Sequence, residues 1–444
     1  MQDTIAAIAT PFGTGAVSLI RVSGDQVGHI IEQIFQSVPM LKPRFATLGN
    51  IVTPEGENVD QVLLTFFQNP ASYTGQDLAE ISCHGGILVT QKVLETVLAA
   101  GARPAEPGEF TQRAFLNGKM DLTQAESVMD LIEARTNLAL RAANQQLDGQ
   151  LGDQIRRIRQ ELLGVLAHIE AFIDFPDEDI DTDTTEAIAK RIRGIIDSEQ
   201  QLIATAEQGK ILREGVATVI AGEPNVGKSS LMNVLLGFER AIVSELAGTT
   251  RDTIEETINL KGIPLRLIDT AGMRESDDEI EKQGIDRTEK QLRTADLVLE
   301  VVDSSQPAPE VSRLPDSQAK HHLRILNKAD LQRHPSWEGE DGVEISCLNR
   351  DGIEQLADAI YSKLTSGEVN WGANLTAINT RHRHCLLKSK TLAGQALEAI
   401  VAGQSAEFIA LDVRESLDAV GEVIGKADTE ELLGEIFSSF CIGK

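Results

Sequence analysis

The sequence predicts a multidomain chain: an α+β domain comes first, an all-α domain follows, and an α/β domain is inserted into the all-α part. Its 444 residues are too many for one ordinary core. The predicted secondary structure is mixed over 1–118, helical over 119–209 and 373–444, and alternates between strands and helices over 210–372. Neither helical part shows a self-sufficient core, so we expect one interrupted helical domain; two independent helical domains are the alternative.

Composition narrows the function classes. The chain is 41% hydrophobic and 25% charged, as is typical of soluble globular proteins. It has no run of eighteen apolar residues, so we expect a cytoplasmic protein with no membrane partner. The four cysteines are far apart in sequence, which favours free thiols over disulfides or zinc. A net charge of −27 means that RNA contact needs a local basic patch or a basic partner.

The first domain shows short strands and helices in alternation. We predict a strand and turn at 18–24 (SLIRVSG), a helix at 24–35, a strand at 62–70 and a helix at 85–102.

The helical part shows one clear apolar face and one helix start. The residues of the face recur at steps of three and four: Ile155, Ile158, Leu162, Leu166, Ile169 and Ile173. The stretch 428–431 (DTEE) has the pattern of a capped helix start.

A phosphate-binding loop gives the strongest functional signal. An apolar strand at 216–221 runs into G-x-x-x-x-G-K-S, and an apolar helix follows. Backbone N–H groups of such a loop wrap a phosphate, Lys228 reaches the β and γ oxygens, and the Ser229 hydroxyl binds Mg²⁺. The loop residues predicted to contact the nucleotide are Gly222, Asn225, Val226, Gly227, Lys228, Ser229 and Ser230.

Further motifs in the same order indicate a Ras-like α/β P-loop G domain that binds GTP. LRLIDTAG (265–272) predicts a strand whose Asp269 lies in the Mg²⁺ shell and whose Gly272 N–H contacts the γ-phosphate. Thr270 and Ala271 complete that nucleotide-binding motif. ADLVLEVVD (295–303) predicts another buried strand.

The last two motifs indicate guanine selection. HLRILNKAD (322–330) ends in Asp330, whose carboxylate can accept the two edge N–H groups that guanine offers and adenine lacks. We expect Asn327 and Lys328 to pack the base and the loop, and Ser346 and Cys347 to close the base pocket.

The residue that promotes hydrolysis is not evident from the G motifs. Ras-like proteins place a glutamine after DTAG to orient the water, and this chain has Met273 there. The stretch 273–284 offers Arg274 and several carboxylates, most of which we interpret as a solvated surface.

Stretches from end to end of the chain carry a family resemblance. They are TIAAIATPFGTGAVSLIRVSG, HIEAFIDFPDEDI, GEPNVGKSSL, AIVSELAGTTRDTIEE, DTAGMRESDDEIEKQGI and FCIGK. Together they resemble the MnmE family (also called TrmE) of tRNA modification GTPases, in the same order and over essentially the whole chain.

The resemblance implies a K⁺-stimulated GTPase. Its K⁺ ligands would be Asn225, Ser244, Leu246 and Thr249. The cation would neutralise charge in the transition state when two GTP-loaded G domains meet in a homodimer. Thr250 would join Ser229 as a ligand of Mg²⁺. The catalytic residues would be Glu281 and Lys228. A common version of the family has Thr and Asp where this chain has Ser244 and Glu245. This difference should have a mild effect on K⁺ binding if only the backbone carbonyl of Ser244 contacts the ion.

The resemblance also implies an N-terminal dimer that binds a tetrahydrofolate derivative, either 5-formyl- or methylene-tetrahydrofolate. The matching residues are Arg21, Glu80, Lys119 and Lys444. Cys441 would lie near the one-carbon unit and is a possible reactive thiol. The alternative, a prenylation box at Cys441, is disfavoured by Gly443 and Lys444.

The implied reaction uses a partner. With the FAD-containing MnmG (also called GidA), in a heterotetramer, the chain would help form 5-carboxymethylaminomethyl or aminomethyl uridine at the wobble position of tRNA. One alternative is a ribosome-assembly switch, which should carry a basic RNA-binding domain. Another is a one-carbon transfer enzyme whose G domain only regulates it.

Two other clusters attract attention. RHRHC (381–385) predicts a basic, exposed helix start more strongly than a metal site, because His382 and Cys385 share a helix face and His384 does not. Cys83 and His84 are neighbours in a predicted strand and should point to opposite faces, so we interpret them as part of the fold.

Overall fold

The computed structural model describes residues 3–36, 42–174, 185–237, 256–268, 292–309, 319–365, 376–426 and 430–444. The chain divides into two compact units. The first comprises Met1–Met129, Gly152–Ala167 and Ala410–Lys444, and the second comprises Asp130–Leu151 and His168–Ile409. The boundaries expected at 118, 209 and 372 stay predictions.

The first unit is built on a mixed sheet. Its strands and helices are β1 (Ile5–Ile8), β2 (Val17–Ser23), α1 (Val27–Ile34), β3 (Phe35–Gln36), β4 (Ala46–Val52), β5 (Asn58–Phe67), β6 (Leu78–His84), α2 (Ile87–Ala99), β7 (Arg103–Pro104) and α3 (Glu109–Leu116). The strand order is β3-β4-β5-β6-β2-β1-β7, with β1 and β7 parallel and the other neighbours antiparallel. The four predicted elements of this domain are confirmed in type; the strand predicted at 62–70 is β5, which begins at Asn58 and ends at Phe67, before the Asn69-Pro70 turn.

Alternation along β2 sets which side chains face the core of this sheet. Ile20 and Val22 are buried among residues of α1 and α2, and Arg21 between them faces the other way. On β6, Ile81 and Cys83 are buried in the same core, while Glu80 pairs with Arg21 across the strands. Arg21 and Glu80 are therefore placed side by side on the outer sheet face by register alone.

Helices follow the first sheet. They are α4 (Leu122–Glu133), α5 (Asn137–Leu147), α6 (Gln150–Asp174), α7 (Thr185–Ala204) and α8 (Ala206–Glu214). The predicted apolar face lies on α6, where all of its residues are buried except the partly exposed Ile173. Thr136 caps α5 by accepting a hydrogen bond from the Ala139 N–H at 3.2 Å.

The second sheet belongs to the α/β part of the second unit. Its elements are β8 (Val216–Ala221), α9 (Lys228–Leu235), β9 (Glu256–Leu260), β10 (Ile263–Leu267), β11 (Leu297–Asp303), β12 (His321–Asn327), β13 (Val343–Glu344) and α10 (Ile353–Thr365). The order is β13-β12-β11-β8-β10-β9, parallel except for the β9–β10 hairpin. Because the carboxyl ends of the parallel strands share one edge, the loops after β8 and β12 meet there.

The last helices complete the helical part. They are α11 (Thr380–Val401), α12 (Ala406–Val423) and α13 (Glu430–Ser438). Within the second unit α11 packs along α7, and Gly209 of α8 lies so close to the chain that a Cβ there would be 2.3 Å from the Ile378 carbonyl oxygen. The chain thus enters and leaves the α/β part at neighbouring points, which supports the predicted insertion. The predicted cap at 428–429 lies outside the described residues.

Candidate functional site

The loop between β8 and α9 has the conformation that a phosphate requires. Gly222, Asn225 and Gly227 have φ angles of 151°, 64° and 102°. A Cβ at Gly222 would lie 2.2 Å from the Val301 carbonyl oxygen, and one at Gly227 would lie 2.2 Å from Asn327 Nδ2. Glycine is therefore required at both positions, and the loop can turn its N–H groups inward at the N-terminus of α9.

Lys228 is held at the mouth of this loop. Its Nζ donates hydrogen bonds to the carbonyl oxygens of Gly222 at 3.0 Å and Glu223 at 2.8 Å. Burial lowers the pKa of the Lys228 ammonium from its usual value. A phosphate that neutralises the ammonium would remove this penalty, which makes the amine a ready anion ligand.

Asn327 joins three pieces of the site. It is 3% exposed at the end of β12. Its Nδ2 donates to the Val226 carbonyl oxygen at 2.8 Å, and its Oδ1 accepts from the Cys347 N–H at 3.2 Å. The side chain thus fixes the phosphate loop against the predicted base loop, a connecting role that differs from direct packing on the base.

Lys328 lies in a strained backbone conformation and in an ion pair. Its φ is 65°, and its Nζ is 2.6 Å from Asp303 Oδ2 at the end of β11. Burial opposes ionisation of Asp303, but hydrogen bonds from Lys328 and Ser305 outweigh it and hold the carboxyl pKa below its usual value. The pair keeps the Lys328 stem beside the phosphate loop.

The predicted guanine ligand is oriented by a buried hydroxyl. Ser346 is 1% exposed and donates to Asp330 Oδ1 at 2.6 Å. Burial, with the Asp330 charge as a second cause, raises the pKa of the neighbouring Cys347 thiol to about 11. Cys347 is therefore protonated at neutral pH, and its backbone N–H donates to Asn327; its place in the base pocket stays a prediction.

A cavity of about 500 Å³ opens beside the phosphate loop. Its lining includes Glu223, Asn225, Asp303, Lys328 and Trp337. Trp337 is buried and donates its indole N–H to the Gln306 carbonyl oxygen at 2.7 Å. Asn225 is exposed and is one of the residues that line this cavity.

Several predicted residues of the nucleotide site lie outside the described residues. They are Ser244, Leu246, Thr249, Thr250, Asp269, Thr270, Ala271, Gly272 and Glu281. Ser229 and Ser230 are described, and both are exposed at the start of α9.

A second cluster forms on the sheet of the first unit. Arg21 Nη2 is 2.8 Å from Glu80 Oε1, and Arg21 Nη1 donates to the Gly443 carbonyl oxygen at 3.3 Å. The guanidinium carbon lies 5.3 Å from the centre of the Tyr73 ring and 5.7 Å from that of Phe110. The site therefore combines an acceptor, a fixed cation and two aromatic rings.

The last residues of the chain close this cluster. The N–H groups of Gly108 and Phe110 donate to the carbonyl oxygens of Cys441 at 3.5 Å and Lys444 at 3.2 Å. Gly443 has a φ of 95°, and a Cβ there would lie 2.5 Å from the Ile8 carbonyl oxygen. The predicted return of the tail to Arg21 thus has a direct structural counterpart, and the Cys441 thiol is exposed.

Lys119 contacts the same cluster only through a loop. Its Nζ donates to the Pro70 carbonyl oxygen at 3.0 Å, and its stem lies near Gly75. The loop that follows β5 also carries Tyr73, so it connects the Lys119 and Arg21 surroundings. Sequence reasoning missed Tyr73 and Phe110, because only the fold brings them to Arg21.

The remaining clusters behave as parts of the fold. Cys83 is buried and His84 is exposed, as the strand periodicity predicts, and His84 Nδ1 is 2.8 Å from Asp60 Oδ1. His382 is fully buried, unlike the exposed start expected for α11: it forms a capping box with Asn379. Among the described residues, no group of three or more His, Cys, Asp or Glu could hold a metal.

Within the described ranges, every helix is too short or too polar to cross a membrane.

Comparisons with known proteins find the same family over both the N-terminal and the remaining part of the chain. The family model described as the MnmE helical domain matches residues 122–441, and the model described as the GTP-binding protein TrmE N-terminus matches residues 4–119. The tRNA modification GTPase MnmE of Akkermansia muciniphila is 53% identical over 448 residues, covering 100% of this chain and 99% of the relative. The protein of the same description from Natranaerobius thermophilus is 46% identical, with 100% of both chains covered.

A comparison with solved structures found a further similarity. The G domain of the T. maritima FeoB iron transporter is 26% identical and covers 33% of this chain and 96% of its own, with a TM-score of 0.23.

Proposed function

Because the chain belongs to the MnmE family of tRNA modification GTPases, we propose that its GTP hydrolysis is stimulated by K⁺ and drives modification of the tRNA wobble uridine together with MnmG. The product would be 5-carboxymethylaminomethyl or aminomethyl uridine, and the one-carbon unit would come from a tetrahydrofolate derivative. The observation that carries the nucleotide part is the glycine-lined loop, tied by Asn327 to the loop that carries Asp330.

The described residues have separate tasks in this cycle. Lys228 would exchange its two loop carbonyls for phosphate oxygens, and the loop N–H groups would hold the β-phosphate. Asp330, oriented by Ser346, would select guanine through its carboxylate.

The candidate ligands carry oxygen donors of the kind that Mg²⁺ and K⁺ prefer. The hydroxyl of Ser229, at the first turn of α9, suits Mg²⁺, with Thr250 and Asp269 as further candidates. The exposed amide oxygen of Asn225 suits K⁺, with Ser244, Leu246 and Thr249 completing the set. When bound, the two cations would neutralise charge on the phosphates. Glu281 would orient the water.

The tail cluster would bind the folate. Arg21 can hold a carboxylate or stack on a ring, and Glu80 can accept N–H groups of a pterin. Lys119 and Lys444 would supply further positive charge, and Cys441 an exposed thiol near the carbon to be transferred. A homodimer would bring two such clusters and two G domains together.

The proposal is tested by GTP hydrolysis in KCl and NaCl at equal ionic strength. We expect strong K⁺ stimulation that Asn225→Ala and Glu281→Ala abolish, while Asn233→Ala, an exposed change on α9, keeps most of it. Equal slow rates in both salts would exclude the cation mechanism.

The tRNA part is tested in a deletion strain. Total tRNA from that strain should lack the wobble modification, and the wild-type gene should restore it while the Glu281→Ala gene does not. Unchanged tRNA in the deletion strain would overturn the proposed role.

A further inference from the structure

Two stretches of neighbouring helices are locally basic in this acidic chain. Between 376 and 397 there are four Lys or Arg residues and no Asp or Glu, and between 187 and 196 there are three Lys or Arg and no Asp or Glu. The whole chain has 41 basic and 68 acidic residues. The first stretch begins α11 and the second lies in α7, and both belong to the second unit.

The two helices pack side by side in antiparallel orientation. Ser389 Oγ on α11 donates to Glu199 Oε1 on α7 at 2.5 Å. Toward the other end, Ile400 of α11 and Ile188 of α7 line one cavity. Residues later in α11 therefore lie beside residues earlier in α7, as expected for antiparallel helices.

A hydrogen bond defines the outer edge of the seam between them. Lys390 Nζ donates to Gln200 Oε1 at 2.7 Å. Arg193 precedes Gln200 by seven residues, and Arg383 precedes Lys390 by seven, so each lies on the same stripe of its helix two turns away. Because the helices are antiparallel, Arg193 and Arg383 lie on opposite sides of the Lys390–Gln200 bond along the seam.

The resulting row is long and accessible. Seven residues at 1.5 Å rise give about 10 Å from the central bond to each arginine, and so about 20 Å from end to end. Arg193, Arg383 and Lys190 are exposed, and Lys390 is half-buried. Lys190 precedes Arg193 by three residues and is therefore its neighbour on the surface of α7. We name these four residues the basic seam.

Among the described residues, α7 and α11 together carry seven Lys or Arg and four Asp or Glu, namely Glu186, Asp197, Glu199 and Glu398; Glu207 lies on the adjoining α8. Asp197 is exposed on α7, and Glu398 is exposed near the end of α11. Glu199 is fully buried between the helices and does not reach the surface. The seam therefore keeps a local excess of positive charge.

We propose that the basic seam contacts the phosphate backbone of tRNA. This inference rests on the tRNA-modifying role and adds the surface that engages the substrate. A row of about 20 Å on two packed helices fits an extended polyanion better than a small anion. A chain of net charge −27 repels RNA over most of its surface, so its binding energy has to come from a local excess such as this one.

The test measures the affinity of the full chain for unmodified tRNA as a function of salt. The seam variant carries Arg193→Glu and Arg383→Glu. The control variant carries Lys42→Glu and Lys92→Glu, two exposed lysines of the first unit, and has the same net charge as the seam variant. A third variant with Arg193→Gln and Arg383→Gln avoids reversed charge, and GTP hydrolysis reports that each variant is folded.

The seam variant should bind tRNA at least about tenfold more weakly at low salt, and its log–log salt slope should fall by about 1.5 for two lost phosphate contacts. The control should stay within about twofold of wild type. Equal losses in both variants would show a net-charge effect and overturn the proposal. So would unchanged binding in the seam variants, or a wild-type chain that does not bind tRNA by itself.

Loss of MnmG binding with tRNA affinity intact would identify the seam as a protein-docking surface and overturn the RNA assignment. The role of the protein in wobble modification is judged separately, by the deletion strain. If the seam variant binds tRNA normally in vitro and cells that carry only this variant still contain modified tRNA, the seam proposal fails. The proposed role in wobble modification is unaffected by that result.

Discussion

Glu199 is a buried carboxyl group that the nucleotide chemistry does not use. Its Oε1 accepts a hydrogen bond from Ser389, and its Oε2 has no hydrogen-bond partner in the part of the chain that the structure describes. Burial raises the pKa of Glu199 to about 7, against the weaker lowering effects of Ser389 and Lys390. The side chain is therefore protonated in the folded chain at mildly acidic pH.

The pKa of Glu199 predicts a pH-dependent stability. An unfolded glutamate ionises near pH 4.3, so between about pH 4.3 and 7 the folded chain binds the extra proton and stability falls as pH rises. Glu199→Gln removes the charged form and should raise the free energy of unfolding at pH 8 by about 1–2 kcal/mol. At pH 4, below the pKa of an unfolded glutamate, the gain should vanish. Urea unfolding at both pH values measures this.

The matched control for Glu199 is Asp197→Asn, an exposed acid on the same helix, which should not show a gain that appears only at pH 8. A Glu199→Gln chain with the same gain at both pH values, or with none, would contradict the assigned ionisation.

Asn327 predicts a loss of nucleotide affinity. Asn327→Ala removes the hydrogen bonds to the Val226 carbonyl, which is buried, and to the Cys347 N–H, which is partly buried, and leaves both groups without this partner. We expect GDP to bind about tenfold to a hundredfold more weakly, equivalent to about 1–3 kcal/mol. Calorimetry with GDP checks this.

Asn349→Ala, an exposed change in the same base loop, should leave GDP affinity within about twofold of wild type. Equal affinities for both alanine variants would mean that Asn327 does not hold the loops together.

At the scale of single residues, the sequence predicts the residues of the motifs but not the contacts that join one motif to another. Asn327 and Asp330 were identified from their motif, because a guanine ligand has a fixed place after a strand. The Lys328–Asp303 pair and the Arg21 stacking on Tyr73 join residues far apart in sequence. No local pattern marks such contacts, since they arise only when strands take their places in a sheet.

Among the elements, the tail of the first unit depends on one glycine. Gly443 has a positive φ and no room for a Cβ beside the Ile8 carbonyl oxygen. Gly443→Ala should displace the tail, so that the Phe110 N–H loses the Lys444 carbonyl. Hydrogen exchange of the peptide 108–116 should then become at least about threefold faster, because α3 loses partners at its first turn.

Gly403→Ala is the control for the tail. It imposes a similar backbone strain at a φ of 65°, but a Cβ there meets nothing within 4 Å. Exchange of 108–116 that is equally changed by both substitutions would trace the effect to general destabilisation, and exchange that neither changes would show that the tail does not secure α3.

Periodicity predicted the elements well where one face is buried. The strand at β2 and the helix face of α6 follow directly from steps of two and of three or four. The start of α11 was less predictable: His382 has the charge pattern of an exposed residue, yet it is buried as the reciprocal partner of the Asn379 cap. A histidine can supply both a packed ring and a hydrogen-bond acceptor, and the sequence does not show which face it takes.

On the scale of the whole molecule, the α/β part carries its own core. A single cluster runs from Ile211 to Leu364 and includes buried residues of β8, β10, β11 and α10. The helical residues on either side are joined directly, by Gly209 against Ile378 and by Glu199 with Ser389. Both sides of the insertion thus have the contacts that independent folding needs.

Excision of residues 215–376, replaced by a short Gly-Ser linker, should therefore leave a folded remainder. We expect strongly helical circular dichroism, one or more cooperative thermal transitions and no GTP binding, because α7, α8 and α11 keep their mutual contacts. The excision does remove the hydrogen bond from Arg135 to Thr257 and the packing of Leu138 on Gly262, so some loss of stability should accompany it. A deletion of equal length over 190–351 cuts through α7 and should unfold the helical part. If the first deletion aggregates or melts without cooperativity like the second, the α/β part is an integral support of the helical fold and not an insert.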